Sequence, residues 1–451
     1  MKNKYPFHYY LVLMLMLLAS IAFWYFVIKN YKLTQHKPLQ QYANTPALPQ
    51  GGAVGLPLPG NYYIVKPINR NRIIIDTISK REIVSDILNV AIKDTLYRTP
   101  RFITDFSQKF DTTQYRINYV DSTINYMQFK VADSLRENFK KKVKTEMASY
   151  DVLVWDEALF DKTAAAPDAN NKYMHTENLY PLRNINAKNI TVAVIDNGFD
   201  LQHPSLAGKY LKPYNATNNS TDVRPSAKNH GTAVAGIIVG NRYNDIQGIV
   251  PSAQLIPIKV ADANGFMSST YIIKAILYAV KNKADVINLS LGANLEGFDE
   301  LSLQYQQDFI KNGAKDEESF WKELFNYCEK NKTVIVLAAG NDNVLTGFDP
   351  LQRAETTIKV GAVNEHNQKT DFSNYGALTT LYAQGVNVKV AHSGNTTEIT
   401  QGTSFSAPIV SAFVVALKTK FPQHSGAEII ELLKQNTIVH NQLRILYNKT
   451  F

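Results

Sequence analysis

Hydrophobic positions follow three different rhythms along this chain. From Tyr9 to Ile28 they form twenty consecutive residues without a charge. At ~1.5 Å rise per residue this covers roughly the 30 Å hydrocarbon core of a bilayer. Lys2 and Lys4 precede the run, and Lys29, Lys32 and Lys37 follow it. Ala19, Ser20 and Ala22 lie inside the run, with bulky Phe23–Ile28 behind them. The pattern therefore predicts an uncleaved signal anchor, a transmembrane helix within residues 1–29, contacting the lipid bilayer through residues 9–28. Removal as a signal peptide is the alternative. Both flanks are basic, so charge does not orient the segment.

Residues 30–60 are rich in proline and glycine and read as a linker. Residues 61–160 read as a small α+β domain. A strand is expected over Arg72–Asp76, a helix over Lys80–Lys93 on the stripe Ile83, Ile87, Leu88 and Ile92, and a strand over Asp151–Trp155. A longer helix is expected where Val131, Leu135, Phe139, Val143 and Met147 recur every four residues. Lys140, Lys141, Lys142 and Lys144 on that helix read as a solvated face. The polar segment 161–178 reads as an exposed connector of the kind proteases nick.

From Leu179 to the end the rhythm changes again. Nearly continuous apolar runs at Asn189–Ile195, Ala253–Val260, Asp285–Ser290, Thr333–Ala339 and Thr357–Val363 alternate with amphipathic stretches such as Thr270–Lys281 and Phe320–Lys330. This predicts a doubly wound, mostly parallel α/β sheet over residues 179–451, with helices on both faces. Such sheets carry their working residues at the carboxyl ends of strands, which draws attention to Asp196 and Asn341.

Composition narrows the classes. The 451 residues are 45% hydrophobic and 19% charged, which excludes a disordered or collagen-like chain. The net charge of +9 divides into +7 over residues 1–178 and +2 over 179–451, so the larger part offers no nucleic-acid groove. Cys328 is the only cysteine. An intrachain disulfide and a cysteine-rich zinc site are excluded, and the position of Cys328 in an amphipathic helix favours a packing role over a catalytic thiol.

Four segments share a further feature. Asp196 in VAVIDNGFD and Asn341 in VLAAGN each follow a strand. His230 opens HGTAVAGIIVG, and Ser404 sits in GTSFSAPIV before a long apolar helix. An imidazole can take the proton of an attacking hydroxyl, a carboxylate can fix the imidazole's tautomer, and an amide with a backbone N–H can hold the oxyanion. Singly, each residue also suits a structural role: Ser404 as a helix cap, His230 as a loop anchor, Asp196 in an Asx-turn, Asn341 in a turn.

Taken together, residues 179–451 resemble the catalytic domain of the subtilisin-like serine peptidases, the subtilase family. Ile195–Gly198 matches the aspartate motif except at Asn197, where the family has Ser or Thr. His230–Gly236 matches the histidine motif, Gly402–Pro408 the serine motif, and Ala338–Asn341 the oxyanion segment. The resemblance implies a subtilisin-like fold and a serine endopeptidase. Asp196, His230 and Ser404 would be the triad, Asn341 the oxyanion donor, and Ser290, Leu291, Gly292, Ala338, Ala339 and Gly340 the lining for a protein or peptide substrate.

The same resemblance casts residues 61–160 as a propeptide that assists folding and inhibits the groove through its tail, with maturation within 161–178. It implies no cofactor for the chemistry and allows structural calcium, for which no ligands stand out. With the anchor, it places the catalytic domain on the extracytoplasmic side, or free after cleavage. Gln384 replaces the proline of a family turn, and the stretch from Gly292 to Thr333 is long enough to restrict substrate access. A membrane-tethered binding protein without turnover is the competing class, although none of the four positions is damaged.

Overall fold

The computed structural model describes residues 67–93, 98–161, 177–225, 229–295 and 297–451. The apolar run at 9–28, the linker 30–60 and nearly all of the connector 161–178 lie outside the described residues. Among the described residues no helix is long and apolar enough to cross a membrane.

The small domain contributes five of the six strands of one sheet: β1 (Ile73–Ile75), β2 (Glu82–Ile92), β3 (Tyr115–Asp121), β4 (Tyr126–Val131) and β5 (Val152–Phe160). They pair antiparallel in the order β3-β4-β2-β5, with β1 also on β2. Helices α1 (Thr99–Lys109) and α2 (Arg136–Glu146) cover one face, packing Phe102, Phe106, Phe139 and Val143 against Leu88, Val90 and Phe129. Val84, Ala91, Tyr126 and Trp155 belong to a different core, shared with the larger part of the chain.

That double coverage explains a correction. The expected helix over Lys80–Lys93 is strand β2, which is buried at nearly every position. A strand covered on both faces loses its alternation, and its continuous apolar run imitates a helical stripe. The helix expected from Val131 begins only at Arg136, because Val131 ends β4. Helix α1 has no counterpart among the expected elements.

The larger part contains β6 (Thr191–Asp196), β7 (Tyr214–Asn215), α3 (His230–Val239), β8 (Gln254–Lys259), β9 (Met267–Ser268), α4 (Ser269–Lys281) and β10 (Val286–Leu289). There follow α5 (Leu303–Asn312), α6 (Lys315–Lys330), β11 (Val334–Ala338), β12 (Thr357–Val363), β13 (Leu381–Gln384) and the hairpin β14 (Val388–His392)–β15 (Thr396–Thr400). Helices α7 (Thr403–Lys420) and α8 (Gly426–Gln435) precede β16 (Thr437–His440) and β17 (Leu443–Leu446).

The main sheet has nine strands in the order β16-β17-β13-β12-β11-β10-β6-β8-β7 and is parallel except for β16. Alternate residues serve opposite faces. Val192 and Val194 of β6 join the core that includes Val234 of α3 and Phe413 of α7, whereas Ala193 and Ile195 join Ile272 of α4 and Trp321 of α6. Strand order reverses around β6, so the carboxyl ends of β6, β10 and β11 open on one crevice.

The small sheet docks on α4 and α6. The rings of Trp155 and Phe320 lie 4.5 Å apart, and Val154 N–H donates to Asp316 at 3.0 Å. Glu157 accepts from Thr270 N–H at 3.1 Å at the amino end of α4, where a carboxylate suits the helix dipole. Burial nevertheless pushes its carboxyl pKa up. Lys144 pairs with Asp316 across the interface, and Lys140 with Glu137 and Asp156, so this basic run is only partly a solvated face. Helix α6, inside the long stretch after Gly292, is thus a seat for the small domain.

Candidate active site

Asp196 is the last residue of β6 and is buried. Its Oδ1 accepts from Asn197 N–H at 2.7 Å, and both its oxygens lie 2.9 Å from His230 Nδ1. His230 is the first residue of α3. The carboxylate therefore favours a proton on Nδ1, leaving Nε2 as the basic nitrogen. Nε2 is buried and has no hydrogen-bond partner among the described residues.

Glycine makes this approach possible. A Cβ on Gly231 would stand 2.4 Å from Gly198 O and 3.0 Å from Asp196 Cβ. The Asn197 side chain accepts from Gly231 N–H at 3.3 Å and ties the two motifs together. The residue that departs from the family pattern thus has a definite positioning contact.

Ser404 lies one residue inside α7 and is buried. Its neighbour Phe405 has its ring 5.3 Å from that of His230, which brings the start of α7 to the His–Asp pair. Beneath it runs a polar chain. Ser411 Oγ donates to Asn288 Oδ1 at 2.8 Å, Asn288 Nδ2 to Ser290 Oγ at 2.9 Å, and Ser290 Oγ to Ser404 O at 2.8 Å. This chain fixes α7 against the end of β10.

Asn341 stands just beyond β11. Its Oδ1 accepts from Thr403 N–H at 2.8 Å and from Thr403 Oγ1 at 2.9 Å. With the oxygen engaged, Nδ2 is the donor end of the amide. Gly340 has φ +103°, and a Cβ there would stand 2.2 Å from Asn374 Nδ2. Ala338 and Ala339 are buried, and their carbonyls both accept from Gln352 Nε2 at 3.0 Å.

Ser290 and Leu291 are also buried, while Gly292 pairs with the end of the small domain. Asp161 N–H donates to Gly292 O at 2.9 Å, and Gly292 N–H to Asp161 O at 3.2 Å. On its other side, β5 sets Leu159 and Phe160 opposite Ser268 and Met267 of β9. The end of the small domain is therefore paired with the backbone of both β9 and Gly292.

The structure brings Asp196 to His230, Asn341 to Thr403 next to Ser404, Ser290 to the Ser404 carbonyl, and Gly292 to the end of the small domain. Sequence reading missed Thr403, Gln352, Asn374, β9 and the Asn288–Ser411 link. Thr403 lay inside a recognised motif. Among the described residues, no three or more His, Cys, Asp or Glu side chains are grouped to hold a metal ion. Cys328 is buried on α6, and burial pushes its thiol pKa up, as suits a packing role.

A sequence profile described as "Subtilase family" matches residues 187–448. The "Thermophilic serine proteinase" of Bacillus sp. (strain AK1) is 33% identical over 246 residues, 54% of this chain and 55% of that protein. "Subtilisin E" of Bacillus subtilis (strain 168) is 30% identical over 253 residues, 54% of this chain and 60% of that one. The chain thus spans between half and two thirds of the length of these relatives. Among solved structures, fervidolysin from Fervidobacterium pennivorans shares 18% identity at a TM-score of 0.60, covering 86% of this chain and 62% of its own. The epidermin leader peptide processing serine protease of Staphylococcus aureus gives 18% and 0.60, covering 79% of this chain and 94% of its own. At that identity the likeness concerns the fold.

Proposed function

Because the chain belongs to the subtilase family, we propose that it is a serine endopeptidase made as a self-processing precursor. The observation that carries this reading is the His230–Asp196 contact at 2.9 Å, with the other imidazole nitrogen unbonded beside the start of α7. Ser404 Oγ attacks the peptide carbonyl while His230 Nε2 takes its proton, and Asp196 stabilises the imidazolium. Asn341 Nδ2 and the Ser404 backbone N–H receive the developing oxyanion. His230 then protonates the leaving amine, and the amine departs from an acyl-enzyme on Ser404. Water, activated by the same imidazole, releases the acid.

Ser290–Gly292 and β9 flank the substrate as an added strand between them, with Ala338–Gly340 behind the reacting carbonyl. In this reading residues 61–160 are the propeptide, whose end takes the substrate's place beside Gly292. The scissile bond of maturation falls within 161–178. Residues 9–28 anchor the precursor in a bilayer with the catalytic part on the extracytoplasmic side, or are removed with a signal peptide. The chemistry itself needs no cofactor.

The test combines labelling with processing. A fluorophosphonate should modify Ser404 in processed wild-type protein. Ser404→Ala should remain unlabelled and should not cut itself between 161 and 178, as read by terminal sequencing. Identical fragments from both proteins would assign the cut to another protease. Absence of labelling in folded, processed protein would leave the competing reading, a binding protein on this fold.

A further inference from the structure

Arg81 stands just before β2 in the small domain and is 2% exposed. The register that pairs Ile83 with Ala158 puts Arg81 opposite Phe160, and its guanidinium lies 5.9 Å from the centre of that ring. Its two terminal nitrogens donate to Glu317 Oε2 at 2.8 Å and Oε1 at 3.2 Å, the forked geometry that arginine makes with a carboxylate. Asp349 Oδ1 is 3.7 Å away. Both acids belong to the larger part of the chain.

The socket is built to present those carboxylates. Glu317 Oε1 is held by Trp321 Nε1 at 3.2 Å. Asp349 accepts from Ala293 N–H at 3.0 Å and Leu351 N–H at 3.1 Å. The nearby cations are committed elsewhere: Arg353 to Glu318 at 3.0 Å and to the carbonyls of Gly347 and Gly313, Lys315 and Lys322 to Glu318. Among the described residues, Arg81 is the cation in contact with Glu317 and Asp349. A buried carboxylate that loses its partner is costly, so this pair is arranged for a guanidinium.

The socket also adjoins the groove. Phe160 pairs with β9, and the next residue, Asp161, pairs with Gly292. A substrate on the same track places the residue opposite Gly292 two positions before the one opposite Ser290, which is bonded to Ser404. If the residue opposite Ser290 supplies the reacting carbonyl, the position held by Phe160 is the fourth before the cut bond.

We propose that Glu317 and Asp349 form a guanidinium subsite at the edge of the substrate groove. Arg81 fills it while the small domain is docked. Once that domain leaves, it receives an arginine side chain of the substrate at the fourth position before the cut bond. The proposal rests on the peptidase reading and adds a preference to it. Arg81 serves in the precursor as a stand-in for that side chain, and Phe160 shows that an aromatic also fits the adjoining space.

The experiment uses protein processed from the full chain and three peptides differing only at that fourth position, bearing arginine, its neutral isostere citrulline, or phenylalanine. Wild type should cleave the arginine peptide with kcat/KM about tenfold above the citrulline peptide. Glu317→Gln and Asp349→Asn should each bring that ratio toward one. Equal rates for arginine and citrulline in wild type would overturn the subsite, a readout that needs no variant. A ratio that survives both substitutions would assign the preference to other residues. Failure of all three peptides with no fluorophosphonate on Ser404 would instead overturn the peptidase reading beneath it. Labelled Ser404 without discrimination would overturn the subsite alone.

Discussion

Thr403 binds the side-chain oxygen of Asn341 twice, through its backbone N–H at 2.8 Å and its hydroxyl at 2.9 Å. The same hydroxyl accepts from Gly340 N–H at 3.1 Å. One residue therefore orients the Asn341 amide and the strand end that leads to it. Thr403→Val keeps the shape and the backbone bond but loses both hydroxyl contacts. A neutral hydrogen bond contributes about 1 kcal/mol, so kcat should fall roughly tenfold with KM nearly unchanged, and Thr403→Ser should recover most of it. Steady-state kinetics on one peptide decides. An equal rise in KM would point to general loosening of the pocket.

Gly231→Ala tests the contact between the aspartate and histidine segments. The added methyl would stand 2.4 Å from Gly198 O, inside any van der Waals distance, so backbone must move. The shift displaces His230 from Asp196, and kcat should drop at least a hundredfold. Near wild-type activity would mean that the segments slide apart without losing the proton relay.

Trp155 is the main aromatic by which the small domain grips α6, its ring 4.5 Å from Phe320. Truncating a buried tryptophan costs about 3–5 kcal/mol. Trp155→Ala should therefore weaken docking, so that processed protein reaches full activity sooner than wild type. A time course of activation checks this. An unchanged time course would place the hold elsewhere, at Arg81 or the β5–β9 pairing.

Lys274 gives the pH test. It is buried on α4 near the ring of Tyr119, and burial alone lowers its pKa to about 7. The unfolded chain keeps the ordinary lysine value of about 10.4. Between the two values the unfolded chain holds more protons, so stability from this residue rises with pH across that window. At pH 7 Lys274 is a burden, and at pH 10.5 most of it is lifted. Lys274→Met should raise the thermal midpoint of the uncut chain by several degrees at pH 7 and by less at pH 10. A pH-independent gain would reflect packing alone.

Much of the larger part could be read directly. Strands such as Val286–Leu289 and Val334–Ala338 are buried on both faces and flanked by amphipathic helices, and the Asp196 and Asn341 motifs sit where parallel strands end. In the small domain the same physics misled, because β2 is covered by helices on one side and by α4 and α6 on the other. Nothing local distinguishes such a strand from a helix when the covering surface lies more than a hundred residues away.

Along the chain, the resemblance of four motifs to those of the subtilases singled out Asp196, His230, Asn341 and Ser404. A proton relay needs particular functional groups, and their neighbours must be small or able to start a helix. The contacts that aim these groups came only with the tertiary structure: Thr403 on Asn341, Asn197 on Gly231, and the line from Ser411 through Asn288 and Ser290 to Ser404. So did Arg81 in its socket, 236 residues from Glu317. Hydrogen bonds and ion pairs depend on distance and angle in space. Residue type sets what a side chain can donate or accept, while packing decides which partner it meets.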